Sequence, residues 1–596
     1  MFIVKKKIAG KEYYYLRESL RVDGKVKAKT IAYLGKTRKE AELKMKEIER
    51  KQLKTKETKQ KEEKMADIKE KKEEKKLTID ELASFCKRKG FVFPSSLIYG
   101  GLSGFWDFGS LGVELFNNIK KEWWNFFVIE KENMTGIDAS IISHPRTWNA
   151  SGHISGFSDV SVRCKKCKKY NKVDKEELET AKCGFCGGEL DKASARDLNL
   201  MFKTFIGPVE EESITAYLRP ETAQGMFLDF RLVQETSRKQ LPFGIAQIGK
   251  CFRNEIAPRD FLFRSREFHI GEFEFFIHPE EKKCELLDNE HLNLKLNLLD
   301  ADTQKVLSGN QKEQSSLGPR KSVKDFRGEP KHTELRETTI GKMLKENKLE
   351  EWHAYWLAEQ LLWFKKLGLL NKIKVREHMK SELSHYSSAT FDMDYEYPFG
   401  SKEIAGIANR GQFDLNQHIK ESGEKLDLFD EKTRKRVIPK VIEPTFGIER
   451  VFLALLCQAY EYDSRRENIV LKLPAFLAPI KAAVFPIVKV DEKMVEIARK
   501  IYKELRKDIS IVYDDSGSVG RRYSRADEQG TPYCITVDSD SIKDKSVTIR
   551  DRDTTKQIRV KISDLRDVLR KLINSEIRFE NAGKLVETRM KEKQGN

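Results

Sequence analysis

The first 36 residues alternate between apolar and polar positions in a way that predicts a small β meander. FIVKKKI and YYYLRESLRV read as extended runs, Asp23-Gly24 is a hairpin turn signal, and KVKAKTIAYLG supplies a third strand. From Thr37 to Lys76 the alternation stops. That stretch is Lys/Glu-rich with few apolar residues, which predicts a solvated helix or arm with no core of its own. Apolar periodicity resumes near Leu77. The glycine-rich run PSSLIYGGLSGFWDFGSLG lacks a phosphate-loop spacing. Leu111, Leu115, Ile119 and Trp123 then fall on one face of a helix.

From Ile206 to Ile277, short apolar runs alternate with glycine or proline turns and show little helical periodicity. This mix predicts an antiparallel sheet rather than repeated βαβ units. Residues 308–350 are polar and breaker-rich and read as an insertion. Pro474 and Pro479 mark a boundary. Beyond it KAAVFPIVKV reads as a buried strand, EKMVEIARKIYKELRK as a helix, and ISIVYDD and CITVDSD as strands, together a small α/β domain.

Composition adds a partner class. The chain has 596 residues, which implies several domains, and its net charge of +18 favours a polyanion. Residues 1–76 hold 26 Lys+Arg against 14 Asp+Glu, so most of that surplus sits at the N-terminus. No run approaches the roughly 18 apolar residues of a membrane span. MFIVKKKIAGKEYYY lacks the order of a secretory signal. The nine cysteines then read as thiols or metal ligands of a cytoplasmic protein with no membrane partner. Cys164-x-x-Cys167 and Cys183-x-x-Cys186, 15 residues apart, have the spacing of a four-thiolate zinc site. Such a closed site is structural; four unligated thiols are the bland alternative. Gly184, Gly187 and Gly188 would supply its turns. His153 lies nearby but is not needed as a ligand.

CFRNEIAPRDFLFRSREFHIGEFEFF, residues 251–276, reads strand, loop, strand. Period-two alternation predicts Arg253 and Glu255 on one side of the first strand. Arg259 sits in the loop, and Arg264 and Arg266 enter the second strand. Guanidinium groups so arranged suit a triphosphate, and an aromatic beside them can stack on a base. A salt-bridged hairpin is the structural alternative.

This stretch resembles motif 2 of the class II aminoacyl-tRNA synthetases. EPTFGIERVFLALL (443–456) resembles motif 3, and IISHPRTW, with Pro145, resembles motif 1, the dimer-forming element. Four longer strings are similar to glycyl-tRNA synthetases of the homodimeric archaeal and eukaryotic kind: YLRPETAQGMFLDF (217–230), AQIGKCFRNEIAPR (246–259), EPTFGIERV (443–451) and DDSGSVGRRYSRADEQGTPYCITVD (514–538). Glu449 and Thr445 depart from the usual Gly and Ser without disturbing the assignment. The resemblance spans about residues 78–575 and leaves out the first 76.

The resemblance implies an α+β fold: an antiparallel catalytic core flanked by helices over residues 77–475, with a zinc-ribbon-like insertion at about 160–190. A C-terminal α/β anticodon-binding domain would follow over 476–580, then a tail over 581–596. The basic N-terminal extension, β-hairpin then helix, would occupy 1–76. It implies ATP-dependent activation of glycine and its transfer to tRNA(Gly) by a homodimer using Mg²⁺ and structural Zn²⁺.

Residue by residue, Arg253 would hold the α-phosphate, Glu255 the adenine and Arg264 the terminal phosphates. Phe268 and Arg450 would sandwich the adenine, and Glu403 would hold magnesium. Asn254, Ser265 and Ile404 complete the implied ATP site. Glu221, Glu272, Glu443, Pro444 and Thr445 would receive glycine. Arg253, Glu255 and Arg450 form the implied catalytic set, and Arg521, Arg522, Arg525 and Arg550 the implied RNA-binding set. No editing site is expected, because alanine must clash where glycine fits. Three other readings are a non-catalytic relative, a class II enzyme for proline, threonine or serine, and a transposase-like nucleic-acid-binding role for the N-terminal module. The last is compatible with synthetase activity. The retained motif residues disfavour the first, and the glycyl-type strings the second.

Overall fold

The computed structural model describes residues 2–8, 11–22, 25–45, 77–156, 158–173, 178–208, 214–305, 335–380, 382–383 and 387–586. The Asp23-Gly24 turn, the Lys/Glu-rich stretch from residue 46, residues 308–334 of the expected polar insertion, His385 and the end of the tail lie outside the described residues. The rest of that expected insertion is not one, since Arg336–Thr339 is a strand of the main sheet and Ile340 and Met343 are buried in its core. The chain divides into two compact units, residues 1–76 and 77–596.

The first unit is the meander that its alternation predicts. Strands β1 (Phe2–Ile8), β2 (Lys11–Val22) and β3 (Lys25–Gly35) pair antiparallel in the order β1-β2-β3. Tyr14 and Leu16 of β2 pack with Leu34 and with Ala41 from the helical residues 38–45.

The second unit is built on a nine-stranded sheet. In chain order its strands are β4 (Met134–Gly136), β5 (Phe243–Phe252), β6 (Glu267–Ile277), β7 (Lys295–Leu299), β8 (Arg336–Thr339), β9 (Ile373–Glu377), β10 (Ala389–Tyr397), β11 (Gly400–Gly411) and β12 (Lys440–Gly447). Their spatial order is β8-β7-β9-β10-β11-β12-β6-β5-β4. All neighbours are antiparallel except β7 with β9 and β4 with β5.

Alternation along β6 and β12 gives this sheet two unlike faces. Phe273, Phe275 and Phe446 enter an aromatic layer supplied by helix α1 (Ser110–Trp124) and the long helix Glu351–Lys366. Trp123 stands 5.8 Å from Phe446, Trp363 5.2 Å from Phe446, and Trp356 4.7 Å from Phe273, centroid to centroid. Glu272, Glu274, Glu443 and Thr445 belong to the opposite face. α1 buries Leu111, Leu115, Ile119 and Trp123, as its period predicts.

The span 206–277 departs from its all-strand expectation. It contains helix α2 (Ala223–Leu228) and the helix Phe230–Ser237. Elements of six and eight residues are too short to leave a readable helical period. α2 and helix α3 (Phe413–Ser422) cover part of the acid-bearing face through Ala223, Met226, Phe227 and Leu415.

After Pro479 a six-stranded sheet runs β14-β13-β15-β16-β17-β18. Its strands are β13 (Ala482–Pro486), β14 (Ile511–Tyr513), β15 (Tyr533–Val537), β16 (Ser546–Asp551), β17 (Gln557–Lys561) and β18 (Lys584–Leu585). The helix Glu492–Leu505 buries Met494, Ala498, Ile501 and Leu505 against it. Among the described residues, no helix is long and apolar enough to cross a membrane.

Candidate active site

Strand register assembles an acidic cluster. Glu272 of β6 stands opposite Thr445 of β12, and Glu443 stands opposite Ala408 of β11. Glu272, Glu274 and Glu443 bring their carboxylate oxygens within 4.8 Å of one another, all buried. Thr222 and Thr445 donate to the two oxygens of Glu272 at 2.5 and 2.9 Å. Arg410 donates to Glu443 at 2.7 Å and forks onto Asp414 with two further bonds of 2.7 Å. Such a planar pairing suits a buried guanidinium. Glu221 is ion-paired with His153 at 3.3 Å and accepts from Gln224 at 2.9 Å.

The acids titrate differently. Burial opposes ionisation of Glu221, but His153, Arg410 and Gln224 outweigh it and hold its carboxyl well below the usual range. Glu274 goes the other way: burial raises it, Glu443 and Glu272 raise it further, and Arg410 only partly offsets them. Neither Glu274 oxygen has a hydrogen-bond partner. Burial without a donor therefore disfavours the charged form of Glu274.

A cavity of about 390 Å³ adjoins this cluster through Thr445. It is lined by Arg253, Glu255, Arg264, Ser265, Phe268, Glu403 and Arg450, among others. Arg450 sits in the first turn of the helix Ile448–Ala459, which starts at Gly447. Its guanidinium lies 4.6 Å from the Phe263 ring centroid and bonds the Glu403 carbonyl at 3.0 Å and carboxylate at 3.2 Å. Arg253 lies 5.4 Å from the Phe268 centroid and donates to the Pro220 carbonyl at 3.0 Å. Glu449 fastens helix to strand by accepting from the His269 backbone at 2.8 Å.

Several expectations need correction. β5 ends at Phe252, so Arg253 and Glu255 lie in the loop and not on a strand, although both line the cavity. Arg266 bonds the Glu255 and Ser103 carbonyls and braces the loop. Ile404 is fully buried in the hydrophobic core, and the Asn254 backbone N–H is bonded to the Leu200 carbonyl at 2.7 Å.

Of the expected RNA-binding arginines, Arg522 and Arg550 are 2% and 6% exposed. Arg522 donates to the Pro486 and Gly517 carbonyls, and Arg550 forks onto Asp527. Their hydrogen-bonding capacity is used inside the domain. Arg521 is exposed, and Arg525 is half-buried against Asp514.

Arg410, Asp414 and Asp394 are site residues that the sequence pattern does not single out, and His153, expected only near the cysteines, pairs instead with Glu221. Arg410 left no local signal, because its partner Glu443 comes from a separate strand. Asp394 pairs across strands with Glu403, and burial, with Asp392 and Glu403 close by, raises its pKa to about 6.

The four cysteines converge: Cys164 and Cys186 sulfurs are 3.6 Å apart, Cys167 and Cys183 3.5 Å, and all four lie within 4.8 Å of one another. Four thiolates about 2.3 Å from one zinc would be spaced about 3.8 Å apart, so the donor set fits a tetrahedral ion. Of the three glycines expected to make the turns, only Gly187 adopts positive φ, and in the other knuckle Lys168 does so.

Comparisons with known proteins place the two sheets in known families. The profile described as "tRNA synthetase class II core domain (G, H, P, S and T)" matches residues 204–306, and "Anticodon binding domain" matches 481–572. An "IS1634 family transposase, N-terminal domain" profile matches residues 3–68. Core and site together define a class II aminoacyl-tRNA synthetase.

A glycine--tRNA ligase of Borreliella burgdorferi is 41% identical across 82% of this chain and 96% of its own length. Those of Bacillus cereus (39%; 83% and 99%) and Geobacillus thermodenitrificans (40%; 85% and 99%) are similar to the same extent. The chain belongs to the glycine--tRNA ligase family. These relatives are bacterial and do not support the expected archaeal and eukaryotic kind. A solved prolyl-tRNA synthetase of Cryptosporidium parvum aligns at a TM-score of 0.48 and 13% identity, over 83% of this chain and 77% of that one.

The acid cluster generates a pH prediction. An acid whose pKa is raised on folding holds its proton more tightly in the folded chain. It lends stability below its ordinary value of 4.5 and loses it as pH rises above that. Glu274→Gln keeps the shape without the proton equilibrium. Between about pH 5 and pH 8 the wild-type thermal midpoint should fall relative to Glu274→Gln. A constant gap would mean that Glu274 is ionised when folded.

Proposed function

We propose that the chain joins glycine to tRNA(Gly) in two steps. The glycine carboxylate attacks the α-phosphorus of ATP, forming glycyl-adenylate and releasing pyrophosphate. A hydroxyl of the terminal tRNA adenosine then takes the glycyl group and AMP departs. The carrying observation is Thr445, which lines the arginine-bearing cavity and bonds Glu272 of the buried acid cluster.

Arg410 faces Glu443, Asp414 and Glu221, and burial with Glu272 and Glu221 nearby still raises the Glu443 carboxyl well above the usual range. A glycine ammonium would balance the remaining negative charge. Thr445 and Pro444 would flank the substrate carboxylate. Arg253 would hold the α-phosphate as charge develops there, Arg264 with Ser265 the terminal phosphates, and Glu255 the adenine edge. Phe268 and Arg450 would enclose the adenine ring, and Phe263 supports Arg450. Ile404 would contribute backbone at most, and Asn254, whose backbone N–H is held by Leu200, its half-buried side chain. Glu403, with Asp394 opposite, would hold magnesium, which when bound neutralises phosphate charge.

In the same reading, residues 77–475 form the catalytic domain and 476–580 the anticodon-binding domain. Arg521 and Arg525 remain its RNA-contact candidates. Cys164, Cys167, Cys183 and Cys186 hold a structural zinc. The enzyme works in the cytoplasm as a homodimer. Ile142, within the motif-1-like string, is exposed at one end of a small sheet whose other end exposes the cross-strand pair Ile206 and Ile214, apolar surface suited to a second copy.

ATP–pyrophosphate exchange measured with each amino acid in turn should be driven best by glycine; faster exchange with another amino acid would refute the substrate assignment. Metal analysis of the purified chain should find about one zinc per chain, lost in Cys164→Ser. Full zinc content in that variant would remove the cysteines from the metal site.

A further inference from the structure

The catalytic reading leaves the first unit without a role, and its sheet has an unusual outer face. Alternation along β2 sends Tyr14 and Leu16 into the core, so Tyr13 and Tyr15 stand on the opposite face. Register brings Lys6 of β1 opposite Tyr13, and Tyr33 of β3 opposite Tyr15. The Tyr15 and Tyr33 centroids are 5.4 Å apart, those of Tyr13 and Tyr33 6.3 Å, and the Lys6 ammonium lies 5.7 Å from the Tyr15 centroid. Tyr33 is 47% exposed and Ile31 40%. An outward sheet face is ordinarily polar, so a tyrosine cluster there calls for a partner.

Charge narrows the partner. Residues 1–45 hold 13 Lys+Arg against 5 Asp+Glu. Lys5, Lys6, Lys7, Lys11, Lys29 and Lys36 are exposed. So strong a positive surplus disfavours a second copy of the same face. Lys6 and Lys11 alternate onto the tyrosine face, whereas Lys5 and Lys7 fall on the other side and Lys5 pairs with Glu12. Flat aromatic rings flanked by ammonium groups match unpaired bases and their phosphates. We propose that the Tyr13, Tyr15 and Tyr33 face with Lys6 docks an unpaired stretch of RNA, the bases stacking on the tyrosines and the phosphates meeting the lysines. The preference for RNA over DNA rests on the proposed synthetase function, which brings an RNA to this chain. The bland alternative assigns the β1 lysines only to guarding a sheet edge, and leaves the tyrosines unexplained.

The test uses the full chain and a fluorescein-labelled single-stranded oligouridylate of about 12 nucleotides. Tyr15→Ser/Tyr33→Ser should weaken binding about tenfold or more, and Lys6→Glu, at an exposed position, several-fold. A 4-thiouridine version should crosslink within residues 2–36. Glycine-dependent pyrophosphate exchange should be unchanged in both variants, so that the two proposals stand or fall separately. Any of the following would overturn the docking face: equal affinity in all three proteins, crosslinks only in residues 77–596, or tighter binding of the DNA 12-mer. Preferential binding to phosphatidylserine vesicles, or self-association that the tyrosine variant abolishes, would do the same.

Discussion

Carboxylates buried on one face of a sheet repel one another and resist desolvation, and the catalytic body is organised around meeting that cost. β6 and β12 pair so that Glu272, Glu274, Glu443 and Thr445 share a face. Arg410, from β11, bridges Glu443 to Asp414 of α3, joining two strands to a helix through one guanidinium. Thr222 and Thr445 occupy Glu272, and His153 pairs with Glu221. Glu274 has no donor, and burial beside Glu443 and Glu272 raises its pKa well above the usual carboxylate range. The opposite face carries Phe273, Phe275 and Phe446 into the tryptophan layer, so the same alternation that builds the core also aims the acids. Breaking one member of such a network strands a buried charge, at a typical cost of about 3–5 kcal/mol.

The arginine-lined cavity follows from the same register. Thr445 belongs to both regions, and β12 hands directly to the helix that carries Arg450. The Arg450–Glu403 contact then ties motif 3 to β11. An ammonium held by the acids and a triphosphate held by Arg253, Arg264 and Arg450 would meet at Thr445. That adjacency is what adenylate formation requires of a site that works by positioning.

Much of this was legible in the chain. The meander, the α1 periodicity and the alternating C-terminal elements each left a period long enough to read. The cysteine spacing foretold the convergence of four sulfurs. What escaped was set by tertiary context. Alternation extrapolated past Phe252 assigned Arg253 and Glu255 to a strand that had already ended. Two short helices within 206–277 carried no period. Arg522 and Arg550 looked like surface cations until burial revealed their internal partners. Arg410 and His153 gain meaning only beside the acids they balance, and those acids come from separate parts of the chain.

The central claim is that the buried carboxylates receive the amino-acid ammonium while the arginine-lined cavity receives ATP. Steady-state exchange kinetics of Glu221→Gln test it directly, because that residue reaches the cluster without supporting the strand pairing. Loss of one charge-assisted contact, about 1.5–3 kcal/mol, should raise the KM for glycine roughly tenfold or more and leave the KM for ATP near its wild-type value. An unchanged glycine KM, or an equal rise in both constants, would contradict the account.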